Sequence, residues 1–167
     1  LLLSVDFQSF EFVALADQDD IWLPNKLKAA TERLQSGKAD LYMSNLILWE
    51  EKNNKKTVIN KSYPQKKYDY LFEGGSAGCT YVFNIIFGKK LKKTIVNTTY
   101  INWKFFSHDW FVYFFSRLNH YKVVIDKNAY IIYRVHDTNV HGQLNTFSLY
   151  AIKERLRLIK EGWYFKQ

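Results

Sequence analysis

Residues 11–16, Glu-Phe-Val-Ala-Leu-Ala, make an apolar run that ends abruptly at Asp17-Gln18-Asp19-Asp20, three carboxylates in four positions. The run has the length of a short buried strand, and the acidic turn closes it. Pro24 fits the first turn of a helix reaching to about Ser36, with Gly37 as its stop. Leu27, Ala30 and Leu34 give that helix an inward stripe, and Lys26, Lys28, Glu32 and Arg33 a polar face.

The rest of the chain repeats this mixture. Residues 40–49 read as a strand, 50–56 as a polar turn and 57–59 as the return strand of a hairpin. Residues 61–67 read as loop and 68–72 as a helical turn ending at Gly74-Gly75. The small-residue loop Gly74–Thr80, "GGSAGCT", leads into Tyr81-Val82-Phe83, and Asn84 is a candidate cap for a following helix. Ser107 is a candidate cap for a helix over His108–Leu118, with Asp109 in its first turn, where the helix dipole favours negative charge. Val123–Ile125 and Ala129–Tyr133 read as two strands, and His136–Gly142 as a loop. In the segment 147–163, Leu149, Ile152, Leu156, Ile159 and Trp163 mark an amphipathic helix over 147–161, with Gly162 as its end. Strands and helices mix, so the class is α/β or α+β, and 167 residues suit one domain over 1–167.

Composition narrows the function. At 47% apolar and 18% aromatic residues the chain folds rather than stays disordered. Lysine and arginine outnumber the acids to give a formal +8, which suits either an anionic partner or a solvated basic surface. One cysteine, Cys79, excludes an internal disulfide framework and fits a reducing, cytoplasmic setting. No apolar run is long enough to span a membrane. The first residues lack the basic region of a secretory signal, and they lack an initiator Met. No nucleic-acid-binding motif is found, and the histidines lack zinc spacing with Cys79.

Four segments could carry chemistry. An acidic turn beyond a strand end can hold a hard divalent cation, and the cation a phosphate; it can equally cap a helix through Asp19 or Asp20. Repulsion among the carboxylates favours the metal. Gly75-Ser76-Ala77-Gly78 could bring main-chain N–H groups close to a ligand, but lacks the spacing of either common nucleotide-binding glycine motif. His108-Asp109-Trp110 places a carboxylate beside aromatics, where desolvation suits a general base. Strand alternation puts Arg134 and His136 on one face, for phosphate or metal.

Taken together and in order, Ala16–Pro24 with Lys26-Leu27, Gly75–Thr80, His108-Asp109-Trp110, and Tyr133-Arg134 with His136, Asn139 and Gly142 resemble the family 2 glycosyltransferases of GT-A fold, particularly rhamnosyltransferase-like bacterial members. The resemblance covers nearly the whole chain. It implies an α/β fold with a mixed sheet flanked by helices. It also implies inverting transfer of a sugar from a nucleotide-diphosphate donor to a saccharide or lipid-linked saccharide acceptor, in bacterial surface polysaccharide synthesis. By the same resemblance Asp109 is the catalytic base, and Asp19 and His136 hold Mg²⁺ or Mn²⁺. Asp17, Gly75, Ser76, Ala77, Gly78 and Arg134 lie on the donor, and His108 and Trp110 lie on the acceptor side.

One departure from the family stands out. Its members begin with a nucleotide-binding strand–helix–strand–helix portion, whereas here the acidic turn arrives at residue 17. The expectation is therefore a metal- and acceptor-side C-terminal portion whose sheet edge favours pairing with another chain. Such a portion is expected to bind donor weakly. The rival reading is a non-catalytic, transferase-like binding module. The cationic helix at 147–161 packs on the sheet or lies on an anionic membrane surface, at the inner face of the plasma membrane.

Overall fold

Leu41, Tyr42 and Met43 follow one another on a strand, and consecutive strand residues point to opposite faces. All three are apolar, so both faces of that strand need cover. The computed structural model, which describes residues 2–7, 9–97, 107–135 and 157, supplies it. Leu41 and Met43 are buried with Phe83, Phe87, Leu91 and Phe111 on one face, while Tyr42 and Val82 are buried with Ala30, Leu34 and Ala39 on the other.

The strands are β1 (Phe12–Ala14), β2 (Ile21–Trp22), β3 (Leu41–Glu50), β4 (Lys55–Ile59), β5 (Val82–Asn84) and β6 (Val123–Val135). The helices are α1 (Lys26–Gln35), α2 (Ile85–Val96) and α3 (His108–Leu118). The six strands form one sheet in the order β1-β5-β3-β6-β2, with β4 added to β3. Helix α1 covers the Tyr42 face; α2 and α3 cover the Met43 face. This is the expected α/β arrangement of a sheet flanked by helices. The chain divides into two compact units, Leu1–Arg134 and Val135–Gln167. Of the second only Val135 and Arg157 are described, so the amphipathic segment 147–163 and the loop 136–142 lie outside the described residues. No helix among the described residues is long and apolar enough to cross a membrane.

Local signals explain most boundaries. Asn84 caps α2 by accepting the Phe87 N–H at 2.9 Å, and Ser107 caps α3 by accepting the Trp110 N–H at 3.4 Å. Gly37 ends the α1 region at φ 65°, a left-handed conformation that glycine adopts without strain. Three expectations change. Helix α1 begins at Lys26, so Pro24 sits in the turn before it, and Asn25 at its N-cap makes no side-chain bond. Its inward stripe is Lys26, Ala30 and Leu34; Leu27 is 45% exposed. The two strands read from 123–125 and 129–133 are one, because β3 side chains serve the polar stretch between them: Asn45 Nδ2 donates to the Lys127 carbonyl at 2.8 Å and Tyr42 Oη to Asp126 at 3.2 Å.

Candidate active site

The acidic turn crosses the sheet from one edge to the other. β1 runs up beside β5, with Ala14 opposite Val82, and Leu15 N–H continues the pairing to the Tyr81 carbonyl at 3.0 Å. On the far side Ile21 and Trp22 pair with Ile132 and Ile131, and Leu23 N–H reaches the Tyr130 carbonyl at 2.9 Å. Residues 15–20 are thus strung across the sheet's end, over the carboxyl ends of β1 and β6, the place where α/β sheets bind ligands.

Asp20 points inward. The Cys79 thiol and the Arg134 main-chain N–H are its polar neighbours, yet both carboxylate oxygens are buried without a well-formed hydrogen bond. Desolvation first, then Asp17 and Asp19, hold its pKa above the usual carboxylate range. Asp17 lies nearer the rim. It too is raised, by desolvation and then by the charge of Asp109. Cys79 sits beneath them, and burial together with its bond to Asp20 pushes its thiol well up. Lys26 completes the floor. Only 3% exposed, its ammonium lies 3.6 Å from the centroid of the Trp22 ring and is close enough to feel Asp20.

Asp109 enters from the other side of the chain. It stands in the first turn of α3, and its Oδ2 accepts the Gly78 N–H at 2.9 Å. Its Oδ1 lies 2.5 Å from His108 Nε2. Gly78 is required here for space: a Cβ would overlap the Asp109 carboxylate and press on the His108 ring. Tyr81 Oη binds the Ser76 carbonyl at 2.9 Å and the Asp109 carbonyl at 3.2 Å, tying the glycine loop to the helix start. The far end of α3 is held by Arg117, which pairs with Asp69 at 2.8 Å.

The carboxylates of Asp17 and Asp20 and the sulfur of Cys79 lie within 4.8 Å of one another. The oxygens suit Mg²⁺ or Mn²⁺, and a cation would relieve the charge that desolvation and neighbouring acids destabilise. The thiol does not suit either ion, because both are hard cations that take oxygen ligands and sulfur is a soft one.

Over all 167 of its residues the chain is 34% identical to the dTDP-rhamnosyl transferase RfbG of Shigella flexneri. It spans 57% of that relative's length. No protein-family model matches the chain.

The site residues read from the sequence separate into three groups. Asp17, Gly78, His108 and Asp109 come together around one small space. Gly75, Ser76, Ala77 and Trp110 are built into its walls. A Cβ on Gly75 would overlap Met43 and Tyr113. Ser76 Oγ donates to the Ser44 carbonyl at 2.9 Å, the Ala77 carbonyl accepts from Thr80 Oγ1 at 2.7 Å, and Trp110 Nε1 donates to the Tyr70 carbonyl at 2.9 Å. Arg134 reaches the site through its main chain, at Asp20. Asp19 is not one of the three converging ligand groups, and His136 lies outside the described residues. Sequence reasoning missed Asp20 as an inward-facing acid, Cys79 beneath it and Lys26 as a buried cation. Cys79 gave no signal within its run of small residues. Lys26 did, since it follows Trp22 by four positions.

Proposed function

We propose that the protein is a glycosyltransferase that moves a sugar, with inversion, from a nucleotide-diphosphate donor to a hydroxyl of a saccharide acceptor. The observation that carries this reading is the convergence of Asp109 on the acidic turn. Two segments roughly ninety residues apart place one carboxylate held by main chain opposite a pair suited to a cation. The similarity to a dTDP-rhamnosyl transferase supports it and makes dTDP-rhamnose the first donor to test.

In the transfer, Asp109 takes the proton of the acceptor hydroxyl as that oxygen bonds to the anomeric carbon. The bond from that carbon to the β-phosphate oxygen breaks, and its electron pair leaves with the nucleoside diphosphate. Asp17 and Asp20 would hold Mg²⁺ or Mn²⁺, which supplies Lewis-acid stabilisation of the leaving diphosphate. The family resemblance gives that role to Asp19 with His136, so Asp19→Ala and Asp20→Ala are compared directly. The Gly78 N–H holds Asp109 in place, and the wall of Gly75, Ser76 and Ala77 bounds the donor side. The lipid-linked or free saccharide acceptor approaches past His108 and Trp110. Polysaccharide synthesis is the setting this chemistry fits.

The test uses the complete protein. Asp109→Asn is expected to lower turnover of dTDP-rhamnose by about 10²–10⁴-fold, the range for loss of a positioned base, with donor binding by calorimetry nearly unchanged. Wild-type turnover in that variant would remove Asp109 from the base role.

A further inference from the structure

We propose that His108 is a positioning residue for the transfer reaction, clamping Asp109 from the side opposite Gly78; this rests on the reading of Asp109 as the base. The carboxylate of Asp109 is held from two sides. Gly78 N–H holds Oδ2 at 2.9 Å, and His108 Nε2 stands 2.5 Å from Oδ1. Oδ1 is buried without a well-formed hydrogen bond, so the close ion-pair contact with His108 on one side and the Gly78 N–H on the other are what hold the carboxylate against turning about its own bond.

An acid in the first turn of a helix would otherwise swing to bond the free N–H groups there. Here Ser107 already takes the Trp110 N–H, and Tyr81 fixes the Asp109 carbonyl, so the backbone is set before the side chain is aimed. Nothing in the core needs the imidazole. Its side chain is 67% exposed, an unusual place for a group that only packs. The charged groups that face it are Asp109 and, further off, Asp17, so it meets the site's negative side. A neighbour on the same helix turn that braces the base is a device for orientation, and orientation errors of about 1 Å cost roughly 10²-fold in rate.

The test compares His108→Phe and His108→Gln in the complete protein, with dTDP-rhamnose and a saccharide acceptor that the wild type glycosylates. His108→Phe removes the polar contact with Oδ1, whereas His108→Gln keeps a polar side chain at that place. We expect His108→Phe to lower kcat by about 10- to 100-fold with KM for donor within about twofold and Tm unchanged, and His108→Gln to recover most of the loss. Wild-type kcat in His108→Phe overturns the clamp, as does equal loss in both variants. Asp109→Asn measured in parallel separates the two claims: if it is inactive while His108→Phe is normal, only the clamp fails; if Asp109→Asn is active, the base reading fails.

Discussion

Lys26 holds the least comfortable position of any side chain in the site. Its ammonium is buried without a hydrogen bond and rests on the Trp22 ring beside Asp20. Burial pulls its pKa from 10.5 down to about 8, with Asp20 opposing. The sign of the consequence is fixed. Between those values the unfolded chain keeps a proton that the folded chain has released, so stability rises with pH across that window. The full span amounts to about 3 kcal/mol. Lys26→Met should therefore be more stable than wild type near pH 7 and lose that margin by about pH 10.5. Urea unfolding of both proteins at the two pH values checks this, and parallel curves would contradict it. Sequence patterning placed Lys26 on the polar face and Leu27 inside, a rotation of one residue. A pattern of apolar positions has no means of placing a charge whose partners, Trp22 and Asp20, lie outside the helix.

At the scale of elements, what is local in cause was legible. Asn84 and Ser107 were readable as caps because a cap needs only a side-chain oxygen near the next free N–H groups. Asn84 also donates to Asp40 at 3.1 Å, joining the start of α2 to the turn before β3. Asn84→Ala should cost about 1–2 kcal/mol, seen as a lower urea midpoint with unchanged slope. A loss under about 0.3 kcal/mol would mean water replaces the cap. What is non-local in cause was misread. Asp126-Lys127-Asn128 looks like a turn in sequence, yet it continues β6 because Tyr42 and Asn45, more than eighty positions away in the chain, satisfy it. The same limit applied to the glycine loop. Its small residues were visible, but not that Gly78 is small because Asp109 arrives against it.

For the whole molecule, the sheet's outer strand matters most. Among the described residues β1 pairs only with β5. Beside it a groove of about 390 Å³ is lined by Phe10, Phe12, Ala14 and Leu27, and Phe10 is 61% exposed. Unpaired strand edges with apolar flanks invite pairing. These 167 residues alone should self-associate with rising concentration, and Phe10→Lys should reduce it. Sedimentation velocity decides, and a monomer at every concentration would sink the expectation. The order of motifs in the sequence foretold that the acidic turn and Asp109 belong together; which oxygen faces which N–H depended on the packing of α3. Cys79 offers a view of how that packing moves. It is the chain's single cysteine and lies on the floor of the site, 1% exposed and in contact with Asp20 of the acidic turn. A small thiol reagent reaches it only when that turn lifts, so the colour such a reagent develops is a clock for the opening of the site, and a bound donor slows the clock by the same factor that it stabilises the closed state.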